Sequence, residues 1–560
     1  MKKIKLLWFA ATMCLSVAAV AQGDSSPENW FNLDPASDGV QGVGTEKLYN
    51  STLLSGRQPR TVIVAVIDSG VDAEHEDLQN IMWINPGEVP GDGIDNDGNG
   101  YVDDVHGWNF IGGKDGKNVN QDTYEMTRLY AKYKSMYDGV DRNKLSKKEK
   151  KEYDLYQQIK KDLEKTRSEL QGNVDLYTGL LKAVEGIQKK AGKEDLTLED
   201  LENMEATDPV QMQAIGILKN VVSNGGTAEE LKEQLNGGVE YFSSSLEYGQ
   251  NPDFDPRSIV GDNYADSDEH YYGNNDVEGP DASHGTHVAG IIAAQRGNGI
   301  GMDGVANHVR IMSVRAVPDG DERDKDVANA IRYAVDNGAT VINMSFGKGY
   351  SWDKGVVDEA VKYAMKKDVL LVHAAGNSGQ DNDTADNFPN DEFEKRGLFG
   401  PKKAKNWLEV GALSWKGGEK APANFSNYGK DKVDVFAPGV DILSTTPDNG
   451  YAKFSGTSMA SPVTAGVAAV LRSYFPELTA EQVKEVIMES VDVNNDKVLK
   501  PGSKEKVPFS DLSVTGGIVN VYKAVELASQ TKGKKKVKGG AANGGGGQAD
   551  EAKKAKKDQA

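Results

Sequence analysis

The stretch from Ser455 to Leu471 limits what this chain can fold into more than any other. It reads SGTSMASP and continues as a run of small apolar residues, long enough for three helical turns and typical of a buried helix. Gly456, just before that run, predicts a tight turn. Ser458 is then expected at a helix start, where unpaired N–H groups and the positive dipole end favour an anion. By itself it is either an N-cap, a common role for serine, or a nucleophile.

Two further stretches favour the nucleophile. Residues 283–290 read SHGTHVAG and place His284 at the start of another small-residue helix. Residues 61–67 are apolar and β-branched, so Asp68 is expected at the carboxyl end of a buried strand, where active sites of open α/β sheets gather. A serine nucleophile needs a base that takes its proton, and the base needs a carboxylate that fixes its tautomer. Asp68, His284 and Ser458 offer these three roles.

Four short motifs carry a family resemblance. They occupy residues 65–72, 284–290, 374–377 and 456–462, and the Asp, His and Ser follow in that order. In residues and order they resemble the subtilisin-like serine proteases (subtilases, peptidase S8 family). The resemblance implies an α/β fold with a doubly wound, mainly parallel sheet and helices on both faces. The sequence supports this expectation because strand-like runs (309–314, 340–345 and 369–374) alternate with helical patterns (326–337 and 354–367).

The resemblance also implies the chemistry. Ser458 Oγ would attack a peptide carbonyl while His284 takes its proton, and an acyl-enzyme would follow, as expected of a secreted serine endopeptidase. The side chain of Asn377 and the backbone N–H of Ser458 would hold the oxyanion. The segment that would line the cleft by pairing with an extended peptide consists of Ser345, Phe346 and Gly347. Phe346 is bulkier than the aliphatic residue usual at this position.

Two alternatives stay open beside a secreted endopeptidase. One is a binding protein that keeps an inactive protease scaffold and holds a partner with its extra helices; the presence of every catalytic position disfavours it. The other is an exopeptidase whose cleft is blocked by those helices. The histidines outside the motifs lack the spacing of zinc ligands, which disfavours a zinc protease.

An acidic loop over residues 92–104 predicts bound calcium. Its side-chain oxygens at alternate positions belong to Asp95, Asp97 and Asn99. A glycine at the sixth position and an apolar residue at the eighth imitate an EF-hand loop. The twelfth position is His106 instead of glutamate, so Asp103 or Asp104 would have to complete the ligand shell. The alternative is an acidic surface turn that binds no ion. Oxygen ligands on a glycine-kinked loop favour a bound hard cation over that alternative.

The resemblance alone implies a second calcium site. Asp77 and Asn298 match positions that hold calcium in many subtilisins, although the loop at 297–301 is one residue longer than usual. A structural cation would matter here because Cys14, the only cysteine, lies within the segment expected to be removed. The exported chain would then have no disulfide to stabilise it.

Residues 1–21 are typical of a secretory signal, with three early lysines, an apolar run and small residues before the cleavage site. The apolar run is too short for a membrane span. We therefore expect a periplasmic or extracellular protein. The net charge of −20 argues against nucleic acid as a partner, and a peptide or protein substrate is expected instead.

The catalytic domain is expected as two segments separated by an insertion. The expected units are a signal peptide (1–21), an N-terminal extension (22–60), a first catalytic segment with the acidic loop (61–117), a helical insertion (118–256), a second catalytic segment (257–529) and a disordered Lys/Gly-rich tail (530–560). Trp30 and Phe31 are expected to pack the extension against the catalytic domain. This extension is shorter than the folding pro-domain usual in the family.

Residues 118–256 match nothing in the family core and predict four to six helices. Capping boxes begin helices at Ser146 and Thr227, and Gly237 is expected to end the last one. Both ends of the insertion should meet the carboxyl edge of the sheet, on the side of Ser458. We therefore expect it to rim or partly cover the cleft as a lid. The alternative is a solvated appendage that docks a partner.

Overall fold

The computed structural model describes residues 26–206, 208–395 and 400–535. The expected signal peptide and most of the expected tail lie outside these residues. Within the described ranges, no helix is both long and apolar enough to cross a membrane.

A nine-stranded sheet forms the centre of the catalytic domain. Its order is β10-β13-β7-β6-β5-β4-β1-β3-β2, and every neighbouring pair is parallel except β10 with β13. Two small antiparallel pairs, β8–β9 and β11–β12, lie apart from it. The strands are β1 Val62–Asp68, β2 Gly107–Asn109, β3 Val309–Arg315, β4 Ala339–Met344, β5 Leu370–Ala374, β6 Trp407–Leu413, β7 Val435–Pro438, β8 Ile442–Thr446, β9 Gly450–Phe454, β10 Asp492–Val493, β11 Lys497–Leu499, β12 Lys506–Pro508 and β13 Gly517–Ile518.

Fourteen α-helices lie in the described residues. They are α1 Pro35–Asp38, α2 Thr45–Tyr49, α3 Glu125–Tyr137, α4 Lys147–Ala191, α5 Leu198–Glu202, α6 Pro209–Ser223, α7 Ala228–Ser244, α8 Arg257–Val260, α9 Ser283–Ala293, α10 Asp324–Asp336, α11 Lys354–Lys366, α12 Thr457–Tyr474, α13 Ala480–Glu489 and α14 Val521–Gln530. One apolar core packs α9, α12, α13 and α14 on one face of the sheet. A second packs α10 and α11 on the other face. The predicted doubly wound α/β fold is confirmed.

Strand β1 occupies the middle of the sheet because it is apolar on both faces. It lies between β3 and β4, and Val64 is opposite Ile311 on one side and Val341 on the other. Strands buried on both faces are near-continuous apolar runs, which is the pattern seen at residues 61–67. The runs predicted at 309–314, 340–345 and 369–374 are found as β3, β4 and β5, each within one residue at either end.

The N-terminal extension packs into the core that contains α9, α12, α13 and α14, as expected from its aromatic residues. Trp30 and Phe31 are both fully buried. The indole Nε1 of Trp30 donates to the carbonyl of Val440 at 3.1 Å, which satisfies its one polar group.

The segment expected as an insertion contains five of the helices, α3 to α7. Helices α4 to α7 share an apolar core of their own, separate from the cores of the sheet. Both predicted capping boxes are present, at Ser146 and at Thr227. The prediction that Gly237 ends the last helix is wrong, because α7 continues to Ser244. The next residue, Gly238, allows close packing: a Cβ there would lie 2.3 Å from the ring of Tyr177 on α4.

The two ends of this segment are joined by a short neck. The N–H of Tyr124 donates to the carbonyl of Gly249 at 2.9 Å, and Thr127 Oγ1 donates to the same carbonyl at 2.8 Å. Residues Ser245–Gly249 form one π-helical turn after α7. Such turns are frequent at functional sites.

Candidate active site

Asp68 and His284 meet at the carboxyl edge of the sheet. Asp68 is the last residue of β1 and is 2% exposed, and its Oδ1 accepts from His284 Nδ1 at 2.6 Å. Helix α9 approaches the strand closely because residue 285 is glycine: a Cβ there would lie 2.1 Å from the carbonyl oxygen of Gly70. A carboxylate that accepts from Nδ1 leaves Nε2 of His284 as the nitrogen that can take a proton.

The pKa of His284 is raised above its ordinary value. Partial burial of the ring lowers its pKa, but the charge and hydrogen bond of Asp68, together with the charge of Asp281, outweigh that effect. The imidazolium that forms when His284 accepts a proton is therefore stabilised by the protein.

Ser458 is the second residue of α12, and it does not cap that helix. Asn377 provides the cap: its Oδ1 accepts from the N–H of Thr457 at 2.8 Å and from Thr457 Oγ1 at 2.9 Å. The tight turn expected at Gly456 is also not found. The backbone there is extended, and a Cβ at Gly456 would make only ordinary contacts, the nearest at 3.5 Å. With its oxygen engaged, Asn377 has its NH₂ group left for donation to a ligand.

A proline inside α12 explains how Ser458 is held. Pro462 has no N–H to donate to the carbonyl of residue 458, four positions earlier. Ser345 replaces that donor, since its Oγ donates to the Ser458 carbonyl at 2.9 Å. In return Ser458 Oγ donates to the Ser345 carbonyl at 3.1 Å. Sequence reasoning missed this reciprocal pair, although a proline at the sixth helical position signals an unpaired carbonyl at residue 458.

The segment Ser345–Gly347 directly follows β4, at the same edge of the sheet as Asp68. Phe346 is half-buried against the second core, with its ring centroid 6.3 Å from that of His373. Gly347 lies close to Asn387, whose Oδ1 would be 2.8 Å from a Cβ at that position. The structure thus brings the predicted cleft segment beside the start of α12.

The acidic loop brings together a carboxylate trio that was only partly predicted. Oxygens of Glu88, Asp95 and Asp97 all lie within 4.8 Å of one another. Oxygens that share one calcium at about 2.4 Å each are separated by up to about 4.8 Å. Glu88 Oε1 accepts from the N–H groups of Asn96 and Asp97, whereas Oε2 is buried without a hydrogen-bond partner. The trio therefore fits a cation, and Glu88 is the ligand that sequence spacing missed.

Asp103 and Asp104, also expected as ligands, are not part of this trio, and Asn99 donates through its side chain to Asp97 and Asp104. Both oxygens of Asp103 accept backbone N–H groups, from Gly91 and Gly93. Asp104 accepts from Asn85, Asn99 and Tyr333, and burial raises its pKa to about 6. These two aspartates shape the loop and anchor it to α10.

At the second expected calcium site, Asp77 and Asn298 are in contact. Asn298 Nδ2 donates to Asp77 Oδ1 at 2.6 Å, and the N–H of Met302 donates to Oδ2 at 3.3 Å. Burial of Asp77 raises its pKa, so this carboxylate is poorly solvated. The pair fits part of a cation shell.

Buried charges join the helical segment to two loops beside the cleft. Because β1 lies between β3 and β4, the loops after β3 and β4 flank Asp68. On the first loop, the carbonyls of Asp321 and Glu322 accept from Arg128 of α3 at 3.0 and 3.2 Å. On the second, Lys348 is 1% exposed and pairs with Glu125 of α3 at 3.7 Å and with Asp324, the first residue of α10, at 2.8 Å. Burial also raises the pKa of Glu322.

Comparison with known proteins gives the same assignment as the motifs. The model of the subtilase family (Peptidase S8) matches residues 59–507, more than half of the chain. Thermitase from Thermoactinomyces vulgaris is 34% identical over 276 residues, which cover 49% of this chain and 84% of thermitase. The thermophilic serine proteinase of Bacillus sp. (strain AK1) is 40% identical over 253 residues, covering 45% of this chain and 54% of that protein.

A longer relative is matched over a smaller fraction of its length. The cell wall-associated protease of Bacillus subtilis (strain 168) is 33% identical over 276 residues, covering 47% of this chain and 28% of that protein. The chain thus spans about half the length of the strain AK1 proteinase and a smaller share of the cell wall-associated protease. This chain belongs to the subtilase family.

Proposed function

We propose that this protein is a serine endopeptidase that acts on peptides or proteins through Asp68, His284 and Ser458. The observation that carries the proposal is the 2.6 Å hydrogen bond between the His284 ring and a buried carboxylate at the end of the central strand. Membership of the subtilase family supports the same chemistry. Export by residues 1–21 stays a prediction from the sequence.

The reaction begins when the Ser458 hydroxyl leaves the Ser345 carbonyl and turns toward His284. Nε2 of His284 takes its proton as Oγ attacks the peptide carbonyl, and Asp68 stabilises the imidazolium. Asn377 NH₂ and the N–H of Ser458 at the start of α12 hold the oxyanion. His284 then gives the proton to the leaving amine, which departs and leaves an ester on Ser458. Water attacks that ester in the second half, with His284 again taking and returning one proton.

Digestion of an unstructured protein tests the proposal and separates the two kinds of peptidase. For an endopeptidase, mass spectrometry should find cuts scattered along the chain, and a serine-directed phosphonate should stop them while adding its mass at Ser458. Products restricted to terminal di- or tripeptides would show an exopeptidase. If neither hydrolysis nor labelling is observed, the binding-protein alternative is favoured.

We also propose that calcium binds the acidic loop through Glu88, Asp95 and Asp97, with a second ion beside Asp77 and Asn298. Three carboxylates at this separation repel one another unless a cation lies between them. Bound calcium would supply that cation and lock the loop, whose Asp104 is anchored to Tyr333 of α10. The role is structural, in a chain with one cysteine.

Calcium is expected to raise the melting temperature by roughly 3–8 °C over chelator at saturating concentration. Glu88→Gln should remove the part of that increase that comes from the acidic loop, because it replaces a carboxylate ligand with a neutral amide. In chelator the same variant should be at least as stable as the wild type, since it relieves carboxylate repulsion. Asp92→Asn, on the same loop but outside the trio, is the matched control. Equal melting temperatures in calcium and chelator would contradict the proposal.

We propose further that the helical segment forms a wall of the substrate cleft. Two residues of α3 attach it to both loops that flank Asp68: Arg128 donates to the carbonyl of Asp321, and Glu125 pairs with Lys348. A wall at this place narrows access for folded proteins more than for flexible peptides. The appendage alternative predicts no such difference.

Removal of the outer half of the segment should test this wall. Tyr177 of α4 packs on Phe242 of α7 with ring centroids 5.3 Å apart, so a short Gly-Ser linker can replace residues 178–236. The neck and the buried charges remain. Cleavage of a folded protein substrate should become severalfold faster, while cleavage of a short peptide stays unchanged. Equal changes for both substrates would favour the appendage.

A further inference from the structure

A pocket of about 280 Å³ lies at the neck of the helical segment, outside the residues assigned to catalysis. Its walls include Tyr124, Tyr241, Tyr248, Glu240, Ser244 and Asp319. The first of these residues precedes α3, and the next four belong to α7 and to the π-helical turn after it. Asp319 belongs to the loop between β3 and α10. The pocket therefore exists because the two ends of the segment close against a loop of the catalytic domain.

The lining has the chemistry of a cation site. Two carboxylates and three phenol rings line the pocket, and no lysine or arginine does. Partial desolvation raises the pKa of Asp319 and the charge of Asp281 raises it further, and no basic residue offsets these effects. A cation over aromatic faces and beside carboxylates is stabilised by both kinds of group. The Ser244 hydroxyl donates to Asp319, which lowers the pKa of that carboxyl group, and the hydroxyl oxygen can still accept a hydrogen bond from a ligand.

Backbone hydrogen bonds hold Asp319 against the start of the helical segment. The N–H of Asp319 donates to the carbonyl of Asn120 at 2.8 Å, and the N–H of Asp122 donates to the carbonyl of Asp319 at 2.9 Å. Asp281, three residues before His284, acts electrostatically on both Asp319 and His284. The β3–α10 loop that carries Asp319 is also one of the two loops that flank Asp68. The same loop and Asp281 thus connect the pocket with the surroundings of Asp68 and His284.

We propose that this pocket is a subsite for one lysine or arginine side chain of the peptide substrate, away from the scissile bond. The inference rests on the proposed endopeptidase function and adds a substrate class to it. A long side chain with a terminal cation can reach the carboxylates while its methylenes lie along the tyrosine rings. Specificity then comes from the junction of the helical segment with the catalytic domain.

A set of quenched fluorescent peptides tests the subsite. The peptides share one neutral sequence, and a single arginine is moved through each position on both sides of the cleaved bond. We expect one position at which arginine raises kcat/KM by about tenfold over the neutral peptide. Asp319→Asn combined with Glu240→Gln should abolish that preference and leave the neutral peptide unaffected. Glu233→Gln is the matched control, because it removes one negative charge from the same helix outside the pocket.

The results for the neutral peptide separate this proposal from the proposed function. If the neutral peptide is cleaved but no position prefers arginine, or if the double variant keeps the preference, the subsite is overturned and the endopeptidase stands. If no peptide is cleaved, the endopeptidase fails. Binding is then measured by fluorescence anisotropy on Ser458→Ala protein, and equal affinity for the arginine and neutral peptides would overturn the subsite as well.

Discussion

Ser458→Ala is expected to lower kcat on a peptide substrate by about 10⁴–10⁶-fold, the range measured when members of a serine triad are removed. The change deletes the atom that would form the acyl-enzyme. It should leave the fold intact, because the Ser458 hydroxyl makes one hydrogen bond, to the carbonyl of Ser345. A single such bond contributes about 1 kcal/mol to the free energy of unfolding. Turnover and melting temperature, measured on the same preparation, check both expectations.

The matched control is Ser455→Ala, three residues earlier in the chain. The Ser455 hydroxyl is exposed and accepts from the N–H of Asp441, with no contact to His284 or Asn377. Its loss should leave kcat near that of the wild type. If the Ser458 variant hydrolyses peptides at a similar rate, the serine protease mechanism is wrong for this protein.

Asn377→Leu is expected to lower kcat by about 10²–10³-fold with a small change in KM, because an oxyanion donor acts only on the transition state. Leucine removes two functions at once. It deletes the NH₂ group that can reach the oxyanion, and it deletes the oxygen that caps α12 through Thr457. Loss of a helix cap destabilises a protein by about 1 kcal/mol.

Asn377→Asp separates these functions. Aspartate keeps the oxygen that accepts from Thr457, so the melting temperature should match the wild type. It has no NH₂ group, and its negative charge opposes an oxyanion, so kcat should fall at least as far as in the leucine variant. If the aspartate variant retains wild-type kcat, Asn377 serves the helix alone and the oxyanion donor lies elsewhere.

The fold and the main site residues could be predicted because their signals are local in the sequence. Strands β3 to β5 were each predicted within one residue, since an apolar β-branched run is a property of neighbouring residues. Asp68 ends a strand, His284 and Ser458 lie at the starts of helices, and each of the three belongs to a short motif. For these features, pattern and order were sufficient.

The remaining features depend on contacts between distant segments. Glu88 lies near Asp95 and Asp97 because the loop folds back, and the spacing of ligands in the sequence does not predict this contact. The extension of α7 past Gly237 follows from packing on Tyr177, which lies on another helix. Asp319 meets Tyr124 and Tyr241 only after the neck has formed. Local sequence patterns do not predict such contacts between distant residues.

The neck between Tyr124 and Gly249 also changes the chain entropy of assembling the active site. Asp68 and His284 are 216 residues apart in the sequence, and bringing them together closes a long loop. The neck bond from Thr127 to Gly249 bridges 122 of those residues. Once that bond has formed, the loop between Asp68 and His284 is less than half as long. The entropic free-energy cost of closing it then falls by about 0.7 kcal/mol. An insertion with its own core can therefore separate two catalytic residues widely in sequence at little cost to the folding of the domain that contains it.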